Sequence, residues 1–303
     1  MRPYKPLFTS PHLQTIASHF WPRNGEERRF PVETKRYRPE PDVEVLVHSQ
    51  RPEAPARGTI VAVHGLEGSG EATYMRSLAG TALRHGFAAH RFNMRTCGGT
   101  EHLCQTLYHA GLTSDLLAVL KELATPVVLV GFSLGGNVVL KLAGELGADA
   151  PRMVKGVCAV STPLDLAACA RRIHDPDNWF YERRFVKRMR ERLRATKRYR
   201  PEEFESLRSV FDIDDRITAP SFGFGNAANY YATQSSIHFL DKIRVPALLV
   251  HARDDMFVPS EIYDEVKGNP NIKVLITERG GHVGFMSRGR TRFWLDEAIV
   301  RMG

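Results

Sequence analysis

Val127-Val128-Leu129-Val130-Gly131-Phe132-Ser133-Leu134-Gly135-Gly136-Asn137 is the stretch that decides how this chain folds. Its first four residues are apolar and mostly β-branched, and they read as a buried strand. Gly131 to Gly135 then fits the pattern G-x-S-x-G. From Gly136 to Leu146 the residues turn helical in character, with Val139, Leu140, Ala143 and Leu146 as the apolar stripe. Strand, tight turn and helix, with a serine at the apex, make a nucleophile elbow. The glycines let two backbones approach where a Cβ would clash, and the turn lifts the Ser133 hydroxyl above the sheet.

The same alternation extends outward. Before the elbow, Val43–His48 and Thr59–His64 read as strands, the second running into Gly65-Leu66-Glu67-Gly68-Ser69-Gly70. Met75–His85 has helical apolar spacing, and Phe87–Asn93 is a further strand. A loop with Arg95-Thr96-Cys97-Gly98-Gly99 precedes a helix over Ser114–Leu123, with Ser114 and Asp115 as plausible caps. Residues 1–42 are proline-rich and read as irregular, apart from a short helical piece at Pro11–Ile16. After the elbow helix comes a strand at Val154–Ser161. The chain is then mostly helical, arginine-rich and aromatic to about Asp241. Strands resume at Val245–His251 and Lys273–Thr277, with a short helix at 261–267 between them and a closing helix at Arg290–Arg301. Such alternation implies a mostly parallel sheet with helices on both faces. The expected division is a core over 1–162 with an N-terminal arm, a helical cap over 163–241 inserted after the sixth strand, and the rest of the core over 242–303.

At 303 residues the chain is long enough for a large core with an insertion. Its 43% hydrophobic and 25% charged content is that of an ordinary globular protein. No apolar run approaches the roughly 20 residues of a membrane helix, and the proline-broken N-terminus does not read as a signal peptide. Cys97, Cys104, Cys158 and Cys169 form no C-x-x-C pair, so neither a zinc site nor a disulfide framework is expected. A reducing, cytoplasmic setting follows as the expectation. No cofactor or metal is called for.

A serine hydroxyl is a poor nucleophile at neutral pH. It needs a base to take its proton and a third group to orient that base. Where this elbow occurs, the partners follow in the order Ser, Asp or Glu, His. Both follow here, each just after a strand: Asp254-Asp255 after Val245–His251, and Gly280-Gly281-His282-Val283-Gly284 after Lys273–Thr277. Open α/β sheets gather ligands at the carboxyl ends of their strands. Ser133, Asp255 and His282 are therefore the candidate catalytic residues. Asp254 is the alternative acid, because only one of the pair can orient the histidine. The oxyanion needs backbone donors, and these fall at Leu134 and, in the loop after His64-Gly65, at Leu66. The plain alternatives are a turn serine, a surface histidine and a capping aspartate.

Taken together, the chain resembles the α/β-hydrolase superfamily, and within it the YheT-like hydrolases with their ABHD-type relatives. The resemblance rests on Pro11-His12-Leu13-Gln14-Thr15, His64-Gly65-Leu66-Glu67-Gly68, the elbow, Phe211-Asp212 with Thr218-Ala219-Pro220, and Tyr230-Tyr231. Val245-Pro246-Ala247-Leu248, Asp254-Asp255 and Gly280 to Phe285 complete it. It implies an α/β-hydrolase fold, a Ser133–Asp255–His282 triad and carboxylic ester substrates. In one place the chain departs: relatives tend to carry Arg-Gly-Cys-Gly where Arg95-Thr96-Cys97-Gly98 stands, and the role of that loop is left open.

The function expected is hydrolysis of short- to medium-chain or lipid esters through an acyl-enzyme on Ser133. Passing the acyl group to an alcohol is the alternative reading, as in the yeast ethyl ester synthase relatives. A non-catalytic binding protein is the second. Between Arg183 and Arg200 lie ten basic residues and one acid, Glu191, with Phe185, Met189 and Leu193 every four residues. This reads as an amphipathic helix with a basic outer face, either simply solvated or touching an anionic membrane. No nucleic-acid motif accompanies the charge, so nucleic acid is not expected as a partner.

Overall fold

The computed structural model describes residues 3–23, 25–123, 126–289 and 291–301. In chain order the elements are α1 (Pro11–Phe20), β1 (Glu33–Glu40), β2 (Val43–Gln50), β3 (Thr59–Val63), α2 (Thr73–Arg84), β4 (Ala88–Phe92), α3 (Ser114–Glu122), β5 (Val127–Phe132), α4 (Leu134–Leu146) and β6 (Val154–Val160). Six helices follow: α5 (Leu166–His174), α6 (Trp179–Thr196), α7 (Pro201–Phe204), α8 (Val210–Ile213), α9 (Ala219–Ser221) and α10 (Ala227–Gln234). The chain closes with β7 (Ala247–Ala252), α11 (Glu261–Asp264), β8 (Ile272–Thr277) and α12 (Trp294–Val300). Arg290, the first residue of the expected closing helix, lies outside the described residues. The helix itself starts at Trp294.

Eight strands form one sheet in the order β1-β2-β4-β3-β5-β6-β7-β8. β1 and β2 run antiparallel to their neighbours, and the strands from β4 to β8 are parallel. Two apolar cores cover the two faces. One packs Leu116, Val119, Val139 and Leu140 of α3 and α4, the other Met75 and Leu78 of α2 and Leu295 and Ile299 of α12. The parallel strands are buried on both faces, which is why they read as nearly continuous apolar runs.

Two local expectations are corrected. Residues 33–40 are not irregular: they form the edge strand β1, whose residues are mostly exposed. Its Lys35, Arg36 and Arg38 keep that edge charged and unsuited to pairing with another chain. Asp115 does not cap α3. The N-cap is Thr113, without a side-chain bond, and Asp115 is buried against Arg95, whose Nε donates to Oδ2 at 2.8 Å. Arg95 is itself buried and reaches Glu40 of β1 and Thr106 as well. The loop after β4 is thus pinned to α3 and the sheet edge. Thr96 within it takes a φ of +60°, a left-handed conformation that glycine accepts at no steric cost.

Candidate active site

The elbow has the geometry its glycines require. Ser133 sits at φ +51° and ψ −122° between β5 and α4, a strained conformation of the kind found at functional positions. A Cβ on Gly131 would lie 2.3 Å from the Gly135 carbonyl oxygen, and one on Gly135 would lie 2.4 Å from that of Val63. Neither position has room for a side chain.

Three side chains from the ends of three strands meet here. His282, in the loop after β8, has Nε2 2.9 Å from Ser133 Oγ. Its Nδ1 lies 2.9 Å from Asp255 Oδ2 and 3.1 Å from Oδ1. Asp255, just past β7, has a fully buried side chain. Oδ1 also accepts the N–H groups of Phe257, at 2.9 Å, and Val258, at 3.2 Å. Burial alone pushes the Asp255 carboxyl up. The facing His282, by its charge and its hydrogen bond, and then the Phe257 N–H outweigh it and hold the group below the usual carboxylate range. The carboxylate is therefore charged at neutral pH, as a partner for an imidazolium must be.

Asp254 faces elsewhere. Its Oδ1 accepts the N–H groups of Gly280 and Gly281, at 2.8 and 2.9 Å. It thereby fixes the turn that carries His282 rather than the imidazole itself. His251 stacks on Tyr263 with ring centroids 4.1 Å apart, and its Nδ1 stands 4.0 Å from Asp255 Oδ2. Burial pushes its pKa down to about 4, so it is a neutral ring behind the acid.

The β3–α2 loop lies against the serine: a Cβ on Gly65 would be 3.1 Å from Ser133 Cβ. The N–H of Gly65 is taken by the Tyr74 hydroxyl and that of Glu67 by the Tyr108 hydroxyl, both at 3.0 Å. Leu66 between them has no hydrogen bond from its N–H to the described protein. Leu134 is the first residue of α4, where an N–H has no acceptor within its own helix. Leu66 and Leu134, the residues expected from sequence to supply the donors, both line the cavity that adjoins Ser133. His64 is buried beneath the loop: its Nδ1 meets the Gly65 carbonyl at 2.8 Å and its Nε2 accepts the Met94 N–H at 3.2 Å.

Several parts of the site escaped the sequence reading. Glu67 is buried and pairs with Arg192 of α6, Nη2 to Oε1 at 2.8 Å. The basic helix therefore does not turn all its arginines outward. Gln14 and Thr15 of α1 hold the histidine loop: Thr15 Oγ1 accepts the His282 N–H at 2.9 Å, and Gln14 Nε2 donates to the Met286 carbonyl at 2.6 Å. The Pro11–Thr15 motif was visible, but nothing local revealed what it would touch. Asn137, one turn past Ser133, ties α4 to the inserted helices. Its Nδ2 donates to the carbonyls of Ala110 and Gln234, and its Oδ1 accepts the Ser236 N–H.

A cavity of about 80 Å³ adjoins Ser133 and His282. Its walls come from both the sheet loops and the inserted helices, including Leu66, Leu166, Ile173, Phe185, Met189 and Phe257. All four cysteines are free and buried, and burial pushes the Cys97 thiol well up, away from a reactive thiolate. No helix among the described residues is long and apolar enough to cross a membrane.

Comparison with known proteins bears on the family and the fold. A family model described as alpha/beta hydrolase fold matches residues 58–288. The YheT protein of Escherichia coli (strain K12) is 30% identical over 308 residues, covering 96% of this chain and 89% of that protein. The monoacylglycerol lipase of Saccharomyces cerevisiae is 29% identical over 266 residues, covering 81% of this chain but 59% of the lipase. Among solved structures, the Pyrococcus furiosus esterase Pf2001 aligns with a TM-score of 0.60 at 17% identity, over 93% of this chain and 94% of that one. That likeness is one of fold alone. On the strand order, the elbow and these matches, the chain belongs to the α/β-hydrolase fold family, in its YheT-like group of esterase- and lipase-type members.

Proposed function

We propose that this protein hydrolyses carboxylic esters through an acyl-enzyme on Ser133. The observation that carries the reading is the continuous chain Asp255–His282–Ser133, both of its links as short as 2.9 Å. In the proposed cycle, Ser133 Oγ attacks the ester carbonyl carbon and its proton passes to His282 Nε2. Asp255 stabilises the imidazolium that forms. The negative oxygen of the tetrahedral intermediate accepts hydrogen bonds from the N–H groups of Leu66 and Leu134. The carbon–oxygen bond to the alcohol then breaks, and His282 returns its proton to the leaving oxygen. Water, deprotonated by His282, attacks the acyl-enzyme and releases the acid.

The acyl group is assigned to the cavity beside Ser133, an apolar space suited to a hydrocarbon chain. Leu166, Ile173, Phe185 and Met189 supply apolar walls for that chain. Residues 163–241 then act as a cap that forms one wall of the acyl site.

The test is turnover of p-nitrophenyl esters from acetate to palmitate, run beside Ser133→Ala, with fluorophosphonate labelling of both proteins. The reading predicts labelled, active wild type and an unlabelled, inactive variant. A wild-type chain that neither labels nor turns over any ester refutes it. Ethanol added to the same assay reports acyl transfer as ethyl ester.

A further inference from the structure

Helix α1 carries its polarity the opposite way round from an ordinary surface helix. Its inward face is polar: Gln14 and Ser18 are buried, and Thr15 accepts the His282 N–H. Its outward face carries large apolar side chains beside the exposed His12 and His19. Leu13, Ile16 and Phe20, at helical spacing, are 54, 40 and 71% exposed, and Trp21 follows. On α6, Trp179 and Phe180 are 61 and 59% exposed. The large exposed apolar side chains of the described residues are thus concentrated on these two segments, with only Val32 and Phe211 elsewhere.

The two segments are neighbours. The His12 ring stacks on Tyr181 with centroids 5.7 Å apart, and His12 Nδ1 lies 3.0 Å from the Tyr181 hydroxyl. At the other end of α1, burial and then Arg184, Arg188 and Arg23 lower the pKa of His19, which sets those guanidinium groups beside the helix. Arg183, Arg184, Lys187 and Arg188 are all exposed. Among the described residues no carboxylate forms an ion pair with Arg183, Arg184 or Arg188, while Lys187 reaches Glu191 at 3.8 Å. The later part of α6 is different: Arg192 is buried with Glu67, and Arg194 pairs with Glu205. Within α6, the exposed arginines without a carboxylate partner therefore lie in its first turns, beside the bare apolar residues.

We propose that the joint face of α1 and the first turns of α6 seats the protein on an anionic phospholipid surface. Bare guanidinium groups beside bare aromatic rings match a surface that offers phosphate and hydrocarbon at neighbouring depths. Tryptophan suits that boundary, having an apolar body and one N–H. The face also leads to the site. Tyr181 contacts Phe257, with centroids 4.9 Å apart, and Phe257 contacts His282 at 4.8 Å. Because the inner face of α1 holds the His282 loop, seating its outer face steadies that loop. This coupling rests on the serine-esterase reading; the docking itself does not.

The test is flotation of the full chain with phosphatidylcholine vesicles and with vesicles that also carry phosphatidylglycerol. Binding is expected to the second only, and to weaken with salt. Ile16→Glu/Phe20→Glu and Arg184→Glu/Arg188→Glu should each lower the partition coefficient about tenfold or more. Both variants should keep wild-type turnover of soluble p-nitrophenyl acetate, which shows them folded, and lose turnover of a vesicle-borne ester. Three results overturn the proposal: no flotation of wild type with either vesicle, equal binding to both, or self-association in sedimentation that Ile16→Glu/Phe20→Glu abolishes. A wild type that floats but cleaves no ester overturns the esterase reading and leaves the docking standing.

Discussion

Arg192 of α6, which lines the cavity adjoining Ser133, forms a buried ion pair with Glu67 of the β3–α2 loop. The guanidinium Nε and Nη2 both reach Glu67 Oε1, at 2.9 and 2.8 Å, and the two side chains are 6 and 5% exposed. The Tyr108 hydroxyl donates to the same oxygen at 3.1 Å, and the guanidinium carbon lies 4.6 Å above the Tyr108 ring. Glu67 follows Leu66 directly and holds a φ of +53°. The inserted helices therefore grip the very turn that presents one proposed oxyanion donor.

Removing one partner of such a pair leaves a buried charge uncompensated. Arg192→Met is expected to lose about 3–5 kcal/mol of stability. The double variant Glu67→Gln/Arg192→Met should recover most of it, because no charge is then stranded. If the pair positions Leu66, kcat in the double variant stays roughly 10- to 100-fold low although its thermal midpoint is restored. A double variant with wild-type turnover would show that the pair serves folding alone.

The two neighbouring aspartates should separate cleanly. Asp255→Asn keeps the shape but presents an amide to His282 Nδ1, and is expected to lose about 10⁴-fold in kcat. Asp254→Asn retains an oxygen for the N–H groups of Gly280 and Gly281, and should lose less than about tenfold. Asp254→Ala strands both donors and should fall between the two. Steady-state kinetics on one soluble ester decides, and a larger loss at Asp254 than at Asp255 reverses the assignment.

What could be read from the chain follows from how local each signal is. The elbow, the parallel strands and the three strand-end positions are local patterns: β-branched runs, glycines at fixed offsets, and an acid or histidine just past a strand. β1 was missed because an edge strand needs no apolar alternation, and Glu33–Glu40 is built from charged residues around Tyr37. Asp115 looks like a helix cap in sequence because its partner, Arg95, stands twenty residues away in a loop. Likewise Arg192 sits in a basic run and counts as surface until Glu67, far upstream, is seen to meet it. Asp254 stays open beside Asp255 in the sequence, since only the turn after β7 decides which carboxylate faces the imidazole. Each of these depends on a partner that no window of sequence contains.

Stability should fall on mild acidification. Burial pushes His64, His90 and His251 down to about 4 and His109 to about 3. Unfolded histidines titrate near 6.5, so around pH 5 the unfolded chain binds about four more protons on these rings. Burial also pushes Asp214 and Asp296 up to about 6, so the folded chain holds about two protons there that the unfolded chain does not. The four histidines outnumber the two carboxylates, so unfolding free energy should fall as pH drops from 7 to 5. Urea melts at pH 7, 6 and 5 measure this, and an unchanged midpoint would contradict it. For Asp214 alone the sign is opposite: its raised pKa costs stability once it ionises. Asp214→Asn should therefore be about 1–3 kcal/mol more stable than wild type at pH 7, the gain fading as pH falls towards 4.

Thr15 tests whether α1 matters to the chemistry or only to the fold. Its Oγ1 is the acceptor for the backbone N–H of His282, and the adjacent Gly281 has no room for a Cβ, which would lie 2.5 Å from that oxygen. Thr15→Val keeps the volume and removes the acceptor, leaving a buried N–H without a partner at a cost of about 1–3 kcal/mol. The loop can relieve that cost only by moving, and movement takes His282 Nε2 away from Ser133. Turnover should therefore fall about tenfold at unchanged KM, since the acyl cavity is built from other residues. Thr15→Ser restores the oxygen and should restore the rate. If Thr15→Val lost stability but kept full kcat, the histidine would be held by Asp254 and Asp255 without help from the N-terminal helix.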